Sequence, residues 1–468
     1  MSSAAPNAST QNVTATQIVA RLDRLPPAWP VWRLIVLISL GACFEFYDLM
    51  MTAYISPVLA KAGVFHKHGL FGLPDQASFV AATFVGLFIG TIAVSRVADR
   101  FGRKRIFVVA LLWYTAAAVV MATQRDAVGI DLWRLAAGIG IGVELVTIDT
   151  YIAEIAPRSV RGRAFAVNQA IQFLAVPVVA LAAWRLGDKV ILGLDGWRWV
   201  VLLGALAAVG VWFIQRRLPE SPRWLADHGR LGEADAVVSA LEAAVEARTG
   251  KPLPPPVARA EAPVDGHVRL SDIFRRPLLG RTLLLVVLNA FQAVGFYGFT
   301  NWAPTFLAAR GVHFAESLQY GFIIAVAYPI GPVIWSTIAE RFERKWLVVA
   351  AAAGTGLLGL AFAANGAPLA LIALGVAINF SNNLLSFSYH TYQAELYPTR
   401  VRATAVGFVY SWSRLSTVFS SYVIAWLLGV GGAPAAFGFI AAAMLVVVVS
   451  VSAFGPPTRG LALEEIAH

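Results

Sequence analysis

SRVADRFGRK, residues 95–104, returns as STIAERFERK at 336–345, and YIAEIAPRSVR at 151–161 returns as YQAELYPTRVR at 392–402. Both pairs lie 241 positions apart. Two independent matches at one offset mark an internal duplication. Around these motifs the chain consists of apolar stretches near the ~20 residues that cross a bilayer as helix. They fall at about 32–58, 77–97, 106–122, 130–153, 164–184 and 198–214, then at 281–309, 317–338, 346–363, 367–393, 403–428 and 434–454. The predicted fold class is an all-α polytopic membrane protein. Its twelve transmembrane helices form two pseudo-symmetric six-helix halves. Repeats of this kind belong to transporters that bind substrate near mid-membrane between the halves.

Composition agrees. Of 468 residues, 58% are hydrophobic and 14% charged, against about 25% charged in soluble domains, and the mean hydropathy is +0.67. The net charge of +10 is concentrated in alternate short loops. Arg96, Arg100, Arg103, Lys104 and Arg105 follow span 2, Arg158, Arg161 and Arg163 follow span 4, Arg341, Arg344 and Lys345 follow span 8, and Arg400 and Arg402 follow span 10. That asymmetry predicts both termini and the 215–280 segment on the cytoplasmic side, and it accounts for the positive charge without a nucleic-acid partner. The expected organisation is a disordered tail (1–30), an N-terminal half (31–214), a linker with short amphipathic helices (215–280), a C-terminal half (281–455) and a short tail (456–468). The single cysteine, Cys43, excludes an internal disulfide. His66 and His68 read as solvated side chains, with no metal site and no cofactor. No nucleophile–base set or nucleotide loop is visible, so an enzyme is not expected. A nutrient sensor on this scaffold would carry a large signalling tail.

Inside the apolar stretches, ionisable groups stand out, because each costs about 2.5–3.5 kcal/mol on insertion scales. FEFYDLMM (44–51) in span 1 carries Glu45 and Asp48 at i, i+3, roughly one helix face. Span 4 carries Arg134, Glu144 and Asp149, and span 11 carries Arg414. A guanidinium at that depth needs a carboxylate, water or an anionic ligand. Amides and aromatics cluster in spans 5, 7 and 10. They include Gln169, Gln172, Gln292, Tyr297, Asn301, Asn379, Asn383, Tyr389 and His390. Lipid does not accept this density of amides, so they line a cavity or join helices.

DRFGRKR (99–105) resembles the signature loop of the major facilitator superfamily, and RLAAGIGIG (134–142) is similar to its span-4 pattern. PESPRWL (219–225) resembles the segment after span 6 in sugar porters and organic-ion relatives, and EFYDL (45–49) the span-1 element of metabolite:proton symporters. The resemblance covers about residues 30–455. It implies the major facilitator fold and alternating access. It also implies a cytoplasmic gate built from Asp99, Arg100, Arg103, Glu154 and Arg161, repeated as Glu340, Arg344, Glu395 and Arg402. There Glu154 would pair with Arg161, and Glu395 with Arg402, when the carrier faces outward.

The resulting expectation is a proton-coupled symporter of a small organic anion, aromatic or another carboxylate, acting as a monomer in a plasma membrane of the bacterial inner-membrane type. Asp48, Glu45, Asp149, Glu144 and Arg134 are the proton-coupling candidates, with Asp48 first. Arg414, His390 and the amides and aromatics named above are the substrate candidates. The sugar-contacting elements of sugar porters are missing, since FQAVGFY (291–297) and SFSYH (386–390) stand in their places. A sugar or polyol porter and a carrier of a cationic or zwitterionic metabolite are the alternatives.

Overall fold

The apolar stretches form helices, the conformation in which a segment in hydrocarbon satisfies its own N–H and C=O groups. The computed structural model describes residues 14–216, 218–257, 270–309, 312–338 and 341–458. Spans 1, 2, 3, 4 and 6 are the helices Trp29–Lys61, Asp75–Phe101, Arg103–Met121, Ala127–Ile155 and Gly196–Gln215. Spans 9 and 10 are Arg344–Ala364 and Pro368–Glu395.

Proline shapes the others. Span 5 breaks at Leu174 into Arg161–Phe173 and Ala175–Leu186, because Pro177 has no N–H for the Phe173 carbonyl. Span 8 breaks between Phe314–Ala325 and Ile330–Ile338, ahead of Pro329 in the same way. Span 7, Leu278–Thr300, resumes as Ala303–Ala309. Spans 11 and 12 are one helical run, Thr399–Phe454, divided at Gly432, whose φ of 64° and ψ of −162° suit glycine. Among the described residues eleven helices are long and apolar enough to cross a membrane, and the last of them contains two spans.

The duplication is visible residue for residue. Spans 3 and 9 begin at Arg103 and Arg344, and spans 4 and 10 at Ala127 and Pro368, each pair 241 apart. The halves are held by different chemistry at matched positions. In the N-terminal half, Gly138 and Gly142 of span 4 bring span 2 into backbone contact. A Cβ on Gly138 would lie 2.5 Å from the Thr83 carbonyl oxygen, and one on Gly142 2.4 Å from that of Leu87. Their counterparts 241 residues later are Asn379 and Asn383. Asn379 Nδ2 donates to the Ile324 carbonyl of span 8 at 3.0 Å, while Asn383 bonds within its own helix and packs closely on Gly331 of span 8. Close approach of small residues and amide bonding are alternative ways to join helices in lipid.

The halves meet where span 5 packs on span 8 and span 2 on the run of spans 11 and 12. At the end away from the basic loops they close over one another. Gln76 lies 3.4 Å from the Asn301 carbonyl and accepts from Thr305 at 3.0 Å. Trp184 stacks on Phe322 at 5.7 Å, the Lys61 ammonium sits 4.4 Å over Phe314, and Phe71 meets Tyr422 edge-on.

One expectation is corrected. Residues 14–30, read as part of a disordered tail, contain the helix Ala15–Asp23, closed by a Thr14–Gln17 capping box. Ile18 packs on Trp224, Leu225 and Val238, and Leu22 with Leu241 and Val245. Arg21 and Arg24 bond Glu242 at 2.7 Å, Arg21 also bonds Asp235, and Asp23 bonds Arg223 at 2.8 Å. The segment is ordered because the linker helices Pro222–Asp227 and Leu231–Thr249 supply the apolar partners it lacks alone. A short hairpin, Val190–Ile191 with Leu194–Asp195, turned by Leu192 and Gly193 at positive φ, connects spans 5 and 6 within the all-α fold.

Candidate functional site

A cavity of about 1380 Å³ lies between the halves. It reaches Ser159, Gly162, Arg163 and Arg344 at the basic-loop end and is closed at the other end by the contacts just described.

Its N-terminal wall descends from span 1. One helical turn places Asp48 and Glu45 on the face toward span 4. The Asp48 carboxylate accepts from Arg134 Nη1 at 2.7 Å, and its backbone carbonyl from Nη2 at 2.7 Å. Arg134 Nε donates to the Thr83 hydroxyl at 2.9 Å, and the guanidinium lies 5.7 Å from the Phe79 ring. Arg134 is 0% and Asp48 6% exposed, so this is a buried ion pair. Thr83 was not singled out from the sequence, since one more threonine in an apolar span carries no signal.

Glu45 and Glu144 are both fully buried, and neither carboxyl has a hydrogen-bond partner among the described residues. They lie within electrostatic reach of one another. Glu45 also borders the cavity. Asp149 is exposed on the cavity wall and forms no ion pair with another described residue.

The opposite wall is aromatic. Tyr297, Tyr389, His390 and Tyr410 line the cavity with Gln292, and Gln169 and Gln172 reach it from span 5. His390 sits between the rings of Tyr389 (4.2 Å) and Tyr410 (5.1 Å). Arg414 is 1% exposed and stands behind this wall. Its Nη1 donates to the Tyr297 hydroxyl oxygen at 3.0 Å and its Nη2 to that of Tyr410 at 2.9 Å.

Three expected substrate residues lie elsewhere. Asn379 is a helix-joining amide, bonded to a carbonyl of span 8, and Asn383 bonds back to the Asn379 carbonyl of its own helix while packing closely on Gly331 of span 8. Asn301 caps span 7 at the closed end, where its carbonyl faces Gln76.

At the basic-loop end the expected pairs are rearranged. Glu154 accepts from Arg103 at 3.0 Å, and Glu395 from Arg344 at 2.8 Å. Arg161 lies 3.9 Å from Asp23 and 3.5 Å from the Ala156 carbonyl, while Arg402 donates to the Tyr397 carbonyl at 3.1 Å. Every one of these partners except Asp23 recurs at the 241-residue offset. The Arg103 and Arg344 pairs join elements of the same half and are formed while the cavity is open at that end, so they brace each half in this conformation. The reason is helix geometry: Arg103 and Arg344 open spans 3 and 9 directly beside the ends of spans 4 and 10. Arg100 lies exposed beside Phe101. The Asp99 side chain and Glu340 fall outside the described residues.

Glu220 of PESPRWL is a site residue the sequence reading missed. Its Oε1 accepts the backbone N–H groups of Arg103, Lys104 and Ser221 at 3.0–3.1 Å. Gly102, at φ 93°, leaves the room for it, since a Cβ there would lie 2.5 Å from Glu220 Oε2. In the second copy Glu343 stands in place of that glycine, at φ −65°, and accepts from the Thr458 N–H at 2.9 Å. The signal was present in the motif itself, where an acid preceding S-P can turn back on the loop after span 2.

Comparison with known proteins places this geometry. The profile of the family Sugar (and other) transporter matches residues 34–468. YyaJ of Bacillus subtilis, a protein named for metabolite transport, is 31% identical over 94% of this chain and 95% of its own length. The niacin transporter NiaP of Acinetobacter baylyi is 24% identical over 96% of this chain and 99% of its own. The xylose transporter XylE from E. coli, solved in a partially occluded inward-open conformation, superposes with a TM-score of 0.73 at 20% identity, covering 93% of this chain and 100% of that one. These relatives are transporters, not enzymes, and the twelve-span fold is that of the major facilitator superfamily. The chain belongs to the sugar (and other) transporter family of that superfamily.

Proposed function

We propose that this membrane transporter is a proton-coupled symporter of a small organic carboxylate, aromatic metabolites included, working by alternating access. One observation carries the reading: one cavity is bordered by Glu45 and Asp149 on one wall, with the buried Asp48–Arg134 ion pair one helical turn from Glu45, and by an aromatic wall backed by Arg414 on the other. A proton on Asp48 cancels the charge that holds Arg134, which frees span 1 to move against span 4. A substrate anion at the opposite wall draws the halves together. The matched Arg103–Glu154 and Arg344–Glu395 pairs keep the rocking bodies rigid at their ends. The opening at the basic-loop end is then the cytoplasmic mouth. Both termini lie on that side, the protein resides in a bacterial inner membrane, and one chain suffices for transport.

Relatives support a carboxylate without naming it, since the niacin transporter is one of them. A sugar or polyol is the second reading, favoured by the family profile and by the likeness to the xylose transporter. Uptake of labelled carboxylates and sugars into proteoliposomes, with and without an inward proton gradient, separates the two. Gradient-driven accumulation of a carboxylate is the expected result. Accumulation of sugars alone, or uptake indifferent to the gradient, refutes the proposal.

A further inference from the structure

We infer that Arg414 acts on the substrate carboxylate through the hydroxyls of Tyr297 and Tyr410, as a positioning residue behind the wall rather than as a direct contact. The inference deepens the carboxylate reading above and rests on it. The geometry is specific. Arg414 is 1% exposed, and it is absent from the cavity lining, whereas Tyr297 and Tyr410 are both part of it. Its two terminal nitrogens are each committed to a phenol oxygen, at 3.0 and 2.9 Å, and its remaining Nε is buried.

A guanidinium has donors only, so each phenol oxygen accepts, and each phenol O–H is left to donate away from Arg414. The Tyr389 hydroxyl shares a hydrogen bond with Tyr410, and with Tyr389 as its donor the O–H groups of both Tyr297 and Tyr410 are free for a ligand in the cavity, polarised by a buried cation through the same oxygens. Two donors of fixed spacing match the two oxygens of a carboxylate. The rings are held for the task. Tyr297 packs edge-on against Phe84 at 4.6 Å and Phe296 at 5.0 Å, and Tyr410 lies between the guanidinium, 4.6 Å from its ring centroid, and His390. The arrangement predicts a carboxylate ligand read by hydroxyls, with the charge of Arg414 felt at second hand. Replacing either phenol then uncouples the arginine from the ligand.

A double-mutant cycle on purified protein in detergent tests this. The probes are benzoate and nicotinate, each beside its neutral amide, and the readout is the acid-to-amide affinity ratio from tryptophan fluorescence. Tyr297→Phe and Tyr410→Phe keep ring volume, and thermal unfolding checks the fold of each variant. Each is expected to lower the ratio about 10-fold, the loss typical of one hydrogen bond to a charged group. Arg414→Lys is expected to lower it similarly in the wild-type background and hardly at all in the double Tyr→Phe background. A full loss from Arg414→Lys in that background overturns the relay and makes Arg414 a direct contact. An unchanged ratio in both Tyr→Phe variants overturns it too, and this arm stands even if Arg414→Lys does not fold. A wild type that binds each acid no better than its amide removes the carboxylate reading itself, and the relay with it.

Discussion

The two halves share a scaffold and divide the chemistry. At the ends of the helices the duplication is kept in full: Arg103 with Glu154 matches Arg344 with Glu395, 241 residues on in each case. At mid-membrane it is not. Glu45, Asp48, Arg134, Glu144 and Asp149 correspond to Val286, Asn289, Gly375, Leu385 and His390, and Arg414 corresponds to Phe173. Charge buried in a low-dielectric interior is costly wherever it sits, so it survives only where it is used. The repeated ends hold the same ion pair at the same place in each half. The unrepeated middles place the mid-membrane carboxylates in one half and the buried Arg414 with its tyrosines in the other, the division on which the proposed function rests.

The comparison breaks most readily at the buried ion pair. Arg134→Met leaves the Asp48 carboxylate buried without its partner, a loss of about 3–5 kcal/mol by analogy with other buried pairs. At the position that matches Asp48, Asn289→Leu removes bonds to the Leu285 carbonyl and Gln393 and costs about 1–2 kcal/mol. Thermal unfolding in detergent reads both, and equal losses would mean that the asymmetry is one of composition only. Asp48→Asn, which keeps the shape and loses the titration, is expected to abolish gradient-driven accumulation in proteoliposomes while sparing exchange.

Helix joining gives a second, smaller contrast. Gly138→Ala forces a Cβ toward the Thr83 carbonyl and is expected to cost about 1–3 kcal/mol. Asn379→Ala removes one interhelical bond and costs about 0.6–1.7 kcal/mol. The reverse order in an unfolding series would show that the asparagines carry more than packing.

The paired ends sharpen the comparison from the other side, because there the halves are expected to agree. Glu154→Gln and Glu395→Gln each cost about 0–1 kcal/mol, and their coupling energies to Arg103 and Arg344 are expected to match. A double-mutant cycle that finds one pair coupled and the other silent would remove the idea of two equivalent braces.

The smallest effect concerns a feature with no repeat among the described residues, the helix Ala15–Asp23 docked on the linker. Burial raises the Glu242 carboxyl, but hydrogen bonds from Arg21 and Arg24 outweigh it and hold it below its ordinary value. A carboxyl depressed in the folded state stabilises docking above its unfolded pKa, and that contribution fades as pH falls through the folded value. Amide exchange in residues 15–23 is expected to stay slow at neutral pH and to accelerate only below the ordinary glutamate range, about pH 4. Release between pH 6 and 7 would place the control in a different group.

How far the sequence could be read depended on which forces were local. The offset of 241 exposed the halves because loop motifs recur in order, and the helices begin at the matched residues. Glu45 and Asp48 were recognisable because spacing and hydropathy are properties of one helix. The same spacing is silent about partners. Asn379 and Gln292 look alike as amides in apolar spans, yet one bridges to Ile324 and the other faces the cavity. Asp23 and Glu242 look like surface charges until a helix from one end of the chain meets the linker.

The sequence by itself therefore determined the twelve-span plan, the two halves, the face that bears the basic loops and the identity of the costly mid-membrane charges. All of these follow from hydropathy, period and repetition along one chain. Tertiary structure alone decided that Asp48 answers Arg134, that Glu45 and Glu144 are left unpaired among the described residues, and that Arg414 lies behind two tyrosines instead of on the wall. Those pairings depend on how helices from separate stretches rotate and tilt against one another. A buried charge takes whichever partner that packing brings within hydrogen-bond distance.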